Sequence, residues 1–294
     1  MRSRPHVGHL RRLLSHCDLG QETAAVIDLI FVGTLTVLTA GDPTPELPTR
    51  KALSDALGTS RLAASVVDVE IQTADGQSVR VHVLPSEDLG LVHAAGLRGY
   101  PLRSAWRHLS PEDFRIVGTA RQKADWILTH RFCSRCAAPT ALDPETQSIR
   151  CPECGQMHYP RISPAVIVLV QRGRRALLGR SPRFADGVYS TLAGFVEPGE
   201  TLEECVHREI KEEVGIRVHN IRYFGSQSHP FPNSLMVGFI ADWLDGNLLI
   251  DPDELTDAQW FDADDLPLRP HPRSIAFRLI EDFKQRIQKE DGSR

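Results

Sequence analysis

The 294-residue sequence lacks an excess of basic charge and lacks a long uninterrupted apolar run. Its 34 Lys and Arg side chains are outnumbered by 38 Asp and Glu side chains, so the net charge is −4 with the 12 His neutral. This balance does not favour non-specific nucleic-acid binding. The longest apolar run, Ala24 to Ala40, contains Asp28 and Gly33 and is shorter than the ~20 residues of a membrane-spanning helix. It therefore predicts a buried strand or helix.

The sequence also lacks the apolar core that a signal peptide places directly after a short basic segment. Mixed polar residues come first, among them His6, His9, Asp18 and Glu22. Six cysteines are too few for a disulfide scaffold at this length, and four of them form two C-x-x-C pairs. Such pairs are typical of metal binding in a reducing compartment. We therefore expect a cytoplasmic protein that does not associate with a membrane.

No Walker A, G-x-G-x-x-G or G-x-S-x-G pattern is present. The usual signatures of P-loop kinases, dehydrogenases and serine hydrolases are therefore missing. The length suggests about two domains of ~150 residues. Residues 1 to 125 contain no chemical motif, but two strand patterns, Ser65 to Ile71 and Ser78 to Leu84, flank an Asp75-Gly76 turn that predicts a hairpin. Ser110-Pro111 then opens a predicted helix.

The second half of the chain alternates between strand-like and helix-like patterns, which predicts an α/β or α+β fold with mixed strand directions. The predicted strands are Ala165 to Val170, Val188 to Ala193, Ile221 to Ser226, Leu235 to Trp243 and Ala258 to Phe261. The predicted helices are Thr201 to Val214 and Ser274 to Ile287.

The four paired cysteines predict a structural zinc site. Fourteen residues separate the two knuckles, which are Cys133-Ser-Arg-Cys136 and Cys151-Pro-Glu-Cys154. Two such knuckles typically hold one tetrahedral Zn²⁺, and four thiolates leave no open position for water or substrate. Zinc ribbons often bind nucleic acid, but only four arginines lie near this one. They are Arg131, Arg135, Arg150 and Arg161. We therefore do not expect the ribbon to bind nucleic acid directly. The other cysteines, Cys17 and Cys205, are interpreted as small buried hydrophobic residues.

The densest acidic pattern lies in the helix predicted at Thr201 to Val214. Thr201 and Glu204 form a capping box, and Gly215 is suited to end the helix in a left-handed conformation. Three carboxylates at positions i, i+3 and i+4 share one face of this helix: Glu209, Glu212 and Glu213. Like charges at this spacing destabilise an isolated helix, so their presence suggests a cation beside them.

All-oxygen ligands of this kind suit a hard divalent cation such as Mg²⁺ or Mn²⁺. Arg208, directly before the cluster, could hold one carboxylate in place. The alternative is a solvated acidic helix face, which is the usual meaning of a run of glutamates.

The spacing around this helix resembles the Nudix box at every defined position: Gly194, Glu200, Arg208-Glu209-Ile210, Glu212-Glu213 and Gly215-Ile216. Nudix hydrolases cleave a nucleoside diphosphate linked to another group, and the resemblance implies an α/β/α sandwich and catalytic Mg²⁺ or Mn²⁺. It also implies that Glu209 and Glu213 bind metal directly, that Glu212 binds the metal directly or through one of its ligands, and that Arg208 orients a carboxylate. The carbonyl of Ala193 is implied as a further ligand.

A second resemblance is to the NADH pyrophosphatase subfamily, in which a zinc ribbon precedes the Nudix domain. Its downstream motif is Ser-Gln-Pro-Trp-Pro-Phe-Pro-x-Ser, and six of the eight fixed positions match. The corresponding residues are Ser226, Gln227, Ser228, His229, Pro230, Phe231, Pro232, Asn233 and Ser234. Ser228 and His229 replace Pro and Trp, which makes the substrate preference an open question. His229 either contacts the substrate or packs as a spacer.

The subfamily resemblance implies a dinucleotide pocket around the motif. Phe195 would stack on a flat ring of the substrate, Tyr159 would close the pocket from the same or a partner subunit, and Glu254 would bind metal or act as the base for the attacking water. Gln227, Ser234, Met236 and the Ala276 backbone would line the pocket. The alternatives are a core Phe195, a strand residue Tyr159 and a solvated Glu254.

The resemblance implies three domains: an N-terminal Nudix-like α+β domain at 1–125, the zinc ribbon at 126–160, and the catalytic Nudix domain at 161–294. It also implies a homodimer and hydrolysis of NAD(H) to NMN(H) and AMP, with removal of NAD caps from RNA as the same reaction on a larger substrate. Two alternatives stay open. One is a Nudix hydrolase of ADP-ribose, an ADP-sugar or a diadenosine polyphosphate, and the other is an inactive nucleotide sensor or scaffold.

Overall fold

The computed structural model describes residues 26–40, 45–67, 71, 77–143 and 145–292. The chain divides into two compact units, Met1–Ala120 and Arg121–Arg294. Within the described residues, no helix has both the length and the apolar character needed to cross a membrane.

The first unit contains a five-stranded sheet in the order β3-β4-β1-β2-β5, with short helices beside it. Its strands are β1 (Val26–Val32), β2 (Leu35–Thr39), β3 (Val66–Val67), β4 (Ser78–Leu84) and β5 (Leu97–Pro101). Its helices are α1 (Arg50–Leu57), α2 (Thr59–Ala64), α3 (Leu89–Ala94) and α4 (Leu102–Ala105), and α5 (Pro111–Thr129) contains the point at which the units divide.

The long apolar run forms the antiparallel pair β1 and β2, which confirms a buried strand there. Gly33 joins the two strands with φ of 56°, a conformation that favours glycine. Asp28, which interrupts the run, is buried on β1 and accepts hydrogen bonds from Arg50 and Arg80 and contacts His82. The carboxylate is tolerated in the sheet because these groups compensate its burial.

The antiparallel pairing expected of the predicted hairpin is confirmed between β3 and β4, in which Val66 lies opposite His82. The Asp75-Gly76 turn lies outside the described residues. The sequence pattern did not reveal that β4 also runs parallel to β1 over its whole length. A parallel neighbour is invisible to local patterns because its pairing depends on a long crossover connection.

The second unit begins with a three-stranded antiparallel sheet formed by β6 (Ala141–Asp143), β7 (Ser148–Arg150) and β8 (Met157–His158). A six-stranded mixed sheet follows, in which β11 pairs with β9 beside the main order β12-β13-β9-β10-β14. Its strands are β9 (Ser163–Arg172), β10 (Arg175–Arg180), β11 (Leu192–Phe195), β12 (Arg217–His229), β13 (Ser234–Asp245) and β14 (Asp257–Asp262), and its helices are α6 (Leu202–Val214) and α7 (Ile275–Gly292).

The mixed sheet is sandwiched between α6 and α7. Val206 and Ile210 of α6 pack in one apolar cluster with Val168 of β9, whereas Leu279 and Phe283 of α7 pack in another. Because alternate residues of a strand point to opposite faces, β9 supplies both clusters. β9 runs parallel to β13 and antiparallel to β10 and β11. The expected α/β/α sandwich with mixed strand directions is confirmed.

Three elements have bounds several residues away from the sequence patterns, among them α7, which continues to Gly292 instead of ending at Ile287. The strand expected at Val188 to Ala193 is β11 at Leu192–Phe195, because Val188 and Ser190 form only isolated bridges, to Leu268 and Gly179. The strand expected at Ile221 to Ser226 is β12, which extends to Arg217 and His229 along β13. The ends of a strand depend on pairing with neighbouring strands, and the periodicity of the sequence contains no information about that pairing.

Candidate active site and metal sites

Both ends of α6 have the expected caps. The Thr201 hydroxyl accepts a hydrogen bond from the Glu204 N–H at 3.2 Å, and the Glu204 carboxylate accepts one from the Thr201 N–H at 2.8 Å. At the other end, Gly215 has a left-handed φ of 76° and donates its N–H to Lys211. The helix therefore begins and ends where the sequence predicts, and its acidic face has a defined orientation against the sheet.

Three carboxylates meet at one point beside β11. One oxygen each of Glu209, Glu213 and Glu254 lie within 4.8 Å of one another. Glu209 and Glu213 are 9% and 4% exposed, whereas Glu254 is exposed on the loop before β14. This loop is held against α6 because the Asp251 N–H donates to the Glu213 carbonyl at 3.0 Å.

The buried negative charge of this cluster favours a bound cation. Burial, followed by the charges of Glu209 and Glu254, raises the pKa of Glu213 to about 8, although the Ala193 N–H donates to its carboxylate. Burial also raises the pKa of Glu209, against the opposing effect of Arg208. Oε2 of Glu213 is buried and has no hydrogen-bond partner among the described residues. An orphaned buried carboxylate oxygen beside two other carboxylates fits a hard divalent cation.

Gly194 allows the Glu209 carboxylate to approach the sheet. A Cβ atom at this position would lie 1.8 Å from Cδ of Glu209 and 2.0 Å from its Oε1. These distances are far below van der Waals contact, so the carboxylate occupies the space that any other residue would fill. The glycine of the box is therefore explained by close approach rather than by backbone conformation.

Arg208 connects the cluster to the loop before α6. Its guanidinium donates to Glu200 at 2.5 and 2.9 Å and to the Phe195 carbonyl at 2.9 Å. It also donates to Glu209 at 2.9 Å and to Glu212 at 3.0 Å. The Arg208 hydrogen bond lowers the pKa of Glu200 to about 2. These hydrogen bonds position Arg208 to orient the Glu209 carboxylate.

Glu212 lies apart from the other three carboxylates. Its side chain is 58% exposed, and its contact with the site is the hydrogen bond from Arg208. Glu212 is on the same helix face as Glu209, but the sheet covers only part of that face. The spacing along the helix could not distinguish an inner carboxylate from an outer one.

The residues expected around a dinucleotide lie on the α7 side of the sheet. Phe195 of β11 and Met236 of β13 both pair with Ala165 on the strand between them. Paired residues carry side chains on one face, so two neighbouring strands place Phe195 and Met236 roughly 10 Å apart. Phe195 is 58% exposed, whereas Ala276 of α7 is buried beside this face.

Gln227 clamps the start of α7. Its amide nitrogen donates to the Arg273 carbonyl at 2.8 Å, and its amide oxygen accepts from the Ile275 N–H at 2.7 Å. Gln227 also lies opposite Met236 in the β12–β13 pairing. The sequence motif included Gln227 as a pocket residue but contained no signal for this helix contact.

The rest of the motif forms the end of β12, a turn and the start of β13. Its residues are Ser228, His229, Pro230, Phe231, Pro232, Asn233 and Ser234. The His229 ring meets the Phe231 ring edge-on, with 4.7 Å between centroids. Asn233 accepts a hydrogen bond from the Ser163 N–H at 2.9 Å, which ties the turn to β9. Ser234 is buried, whereas Ser228 is exposed.

The four paired cysteines converge as expected. Their sulfur atoms lie within 4.8 Å of one another, with 3.6 Å between Cys133 and Cys154 and 3.5 Å between Cys136 and Cys151. A cluster of this size fits a tetrahedral zinc ion. His158 contacts the cluster through a hydrogen bond to Cys133, which no sequence pattern predicted.

Outside these clusters, Tyr159 lies just after β8 with 61% of its surface exposed, and its hydroxyl contacts Met157. Cys205 is fully buried, as expected for a small hydrophobic residue, and Cys17 lies outside the described residues.

The sequence matches the NUDIX domain over residues 160–283 and the NADH pyrophosphatase zinc ribbon domain over residues 128–159. The NAD-capped RNA hydrolase NudC of Chromobacterium violaceum is 53% identical over 188 residues, which are 64% of this chain and 71% of that protein. The protein of the same name from Stutzerimonas stutzeri is 50% identical over 186 residues, which are 63% and 67%.

Among solved structures, the crystal structure of a NUDIX hydrolase from Nitrosomonas europaea is 27% identical to this chain. The match covers 56% of this chain and 94% of that one, with a TM-score of 0.44.

Proposed function

Because this chain belongs to the Nudix hydrolase family, we propose that it hydrolyses the diphosphate bond of NAD(H) to NMN(H) and AMP. The same reaction would remove NAD caps from the 5′ ends of RNA, as the names of its relatives suggest. The observation that carries the proposal is the cluster in which the buried Glu209 and Glu213 meet the exposed Glu254 beside the strand that ends at Phe195.

We assign the metal ligands from this cluster. Glu209, Glu213 and the Ala193 carbonyl are proposed to hold Mg²⁺ or Mn²⁺, with Glu254 completing the site. A divalent cation supplies positive charge that offsets the substrate diphosphate and activates a water. The orphaned Oε2 of Glu213 supports this assignment. Glu212, which is exposed beside Arg208, is proposed to act on the inner carboxylates through that arginine.

The protein's own residues then orient the substrate and accept a proton. Glu254 is exposed on a loop beside the cluster, so it is proposed to accept the proton of the attacking water. The water attacks one phosphorus in line, and the bond from that phosphorus to the bridging oxygen breaks. Arg208 keeps Glu209 in place.

The dinucleotide is proposed to bind on the α7 side, where Phe195 stacks on a flat ring. The other pocket residues are Gln227, Met236, Ser234 and Ala276. Gln227 contributes indirectly, because its hydrogen bonds hold the start of α7 in place. His229 and Phe231 are proposed to shape the motif turn together with Ser228, Pro230, Pro232 and Asn233.

Substrate turnover tests the proposal directly. NADH, NAD⁺, NAD-capped RNA and ADP-ribose are each incubated with Mg²⁺ or Mn²⁺, using wild type and Glu213→Gln. We expect NMN(H) and AMP from the NAD compounds, with at least a hundredfold loss in the variant, because a metal ligand is removed. Cleavage of ADP-ribose alone would assign the protein to another nucleotide and would mean that the Ser228-His229 replacement has reshaped the pocket. No turnover in a folded, zinc-loaded protein would indicate a sensor or scaffold.

The remaining proposals concern the whole chain. We propose one structural zinc on Cys133, Cys136, Cys151 and Cys154, and domains at 1–125, 126–160 and 161–294. We also propose a cytoplasmic homodimer in which Tyr159, whose ring is largely exposed, closes the pocket of the same or the partner subunit. Light scattering coupled to size-exclusion chromatography would give the mass of the assembly.

A further inference from the structure

A cleft of about 370 Å³ lies in the second unit beside the last turns of α5. It is lined by side chains of three segments, among them Gln122, Trp126, His130, Arg161, Pro232 and Asn233. We call it the α5 cleft. Its lining does not include the carboxylates of the candidate active site, so it is a second concave surface of this unit. Its volume is within the range of small-molecule sites.

Trp126 lines the α5 cleft with an unused donor. The residue is only 6% exposed, and its Nε1 is buried without a hydrogen-bond partner among the described residues. A buried N–H without an acceptor is costly, and most buried polar groups in proteins are paired. The unused indole N–H of this lining residue is therefore a donor that an acceptor oxygen of a ligand would satisfy.

Positive charge is also available in the cleft. Arg161 is exposed and makes no ion pair with any residue that the structure describes. The acidic side chain in the lining, Asp125, is paired with Arg121 at 2.8 Å. The free guanidinium at the cleft therefore favours an anionic group such as a phosphate.

The position of the cleft connects it with the proposed dinucleotide pocket. Pro232 and Asn233 of its lining belong to the turn that joins β12 to β13. These two strands also carry Gln227 and Met236, which face α7. The turn that borders the cleft therefore joins the two strands that carry residues of the proposed pocket.

We propose that the α5 cleft binds the nucleotides that follow the NAD portion of a capped RNA, with Arg161 on a phosphate and the Trp126 N–H on an oxygen of a base or sugar. This inference rests on the proposed function, because it assigns a site to the part of the substrate that free NAD(H) lacks. Side-chain donors and a free arginine are among the features with which proteins hold single-stranded nucleic acid.

The first test compares two substrates in the full chain. Arg161→Ala and Trp126→Phe, which removes the N–H but keeps a ring, are assayed on NADH and on a short NAD-capped oligonucleotide. We expect Arg161→Ala to lower kcat/KM on the capped oligonucleotide about tenfold, as for one lost phosphate contact, and to leave NADH hydrolysis within about twofold of wild type. Trp126→Phe is expected to have a smaller effect of the same kind.

Arg175→Ala is the matched control. Arg175 is an exposed arginine on β10, outside the α5 cleft, and it too makes no ion pair within the described part of the chain. We expect it to change neither substrate. The salt dependence of kcat/KM provides a second measurement, which a purely structural effect of the substitution would not change. On the capped oligonucleotide, the slope of log kcat/KM against log salt should fall by about 0.7 in Arg161→Ala, as expected when one single-strand phosphate contact is lost.

Equal losses on both substrates, or no loss on either, would overturn the inference. A change in the mass of the assembly without substrate-selective loss would also overturn it, and would instead assign the α5 cleft to contact with a second copy of the chain.

A binding measurement separates this inference from the proposed function. A fluorescent single-stranded RNA with a 5′ monophosphate and no cap should bind wild type, with the Kd rising about tenfold in Arg161→Ala. This holds even if no NAD compound is hydrolysed. No binding by wild type would overturn the inference while NADH hydrolysis still tests the catalytic assignment.

Discussion

At the scale of single residues, the site depends on a side chain that is absent. The Glu209 carboxylate lies where a Cβ at position 194 would be. We therefore expect Gly194→Ala to displace Glu209 and lower kcat/KM on NADH at least a hundredfold, the range seen when a catalytic group is lost. Gly225→Ala is the matched control, because no atom lies within 4 Å of its added Cβ. Equal activity of both variants would contradict the close-approach argument.

The raised pKa of Glu213 makes a prediction about pH. Its pKa is about 8 in the folded protein without a divalent cation and about 4.5 when unfolded. The folded state therefore holds the proton more tightly, and the stability from this group is present below pH ~4.5 and lost as pH rises through ~8. We expect the free energy of unfolding to fall by roughly 2 kcal/mol more in wild type than in Glu213→Gln between pH 6 and 8.

Denaturant unfolding at several pH values, without added Mg²⁺ or Mn²⁺, measures this difference. Added Mg²⁺ should restore the stability at high pH, because it favours the ionised carboxylate. Parallel pH profiles for wild type and Glu213→Gln would contradict the assignment.

At the scale of elements, α6 holds two of the three clustered carboxylates, and its start depends on one hydroxyl. Thr201→Ala removes the side chain that accepts from the Glu204 N–H. We expect a loss of about 1 kcal/mol in the free energy of unfolding. Activity should change little, because Glu209 and Glu213 lie two to three turns further along. The control is Glu203→Ala, which removes an exposed acid in the same turn and should lower the free energy of unfolding by less. Equal losses of stability in the two variants would contradict a stabilising role for the cap.

The start of α7 depends on Gln227 in a different way. Gln227→Glu keeps the acceptor for the Ile275 N–H but removes the donor to the Arg273 carbonyl. A carboxylate facing a carbonyl oxygen is unfavourable, so we expect a loss of about 1–3 kcal/mol in stability. Since α7 carries Ala276 beside the proposed pocket, KM for NADH should rise. Denaturant unfolding measures the loss of stability, and steady-state kinetics measures KM for NADH. An unchanged KM would show that the contact between Gln227 and α7 does not affect the pocket.

At the scale of the whole molecule, the three sheets differ in how much core they have. The ribbon sheet consists of three strands of two or three residues. So small a sheet buries little apolar surface and requires a metal for stability. We expect one zinc per chain by elemental analysis. We also expect Cys136→Ser to lose the zinc and to exchange amide hydrogens rapidly across residues 131–158, while residues 163–172 of β9 stay protected.

His158 is outside the four ligands, so His158→Phe is the control that should keep zinc while losing the hydrogen bond to Cys133. Retained protection of the ribbon in a zinc-free Cys136→Ser protein would contradict a structural role for the metal.

Local patterns were sufficient for α6 and for the cysteine knuckles. The capping box, the glycine C-cap and the i, i+4 pair Glu209 and Glu213 all involve residues within one helix, where 3.6-residue periodicity sets the geometry. The bounds of β11 and β12 were wrong by several residues, because strand ends are set by partners distant in sequence. The parallel pairing of β1 with β4 was missed for the same reason.

The sequence by itself determined which ligand atoms this protein can offer, since residue types and their spacing along a helix or knuckle are local properties. Tertiary structure alone decided which of them meet: Glu254 joins Glu209 and Glu213, whereas Glu212 stays outside. Packing against β11 also decided the burial that raises the Glu213 pKa. Both outcomes depend on how α6 lies on the sheet, which follows from contacts between residues far apart in the chain.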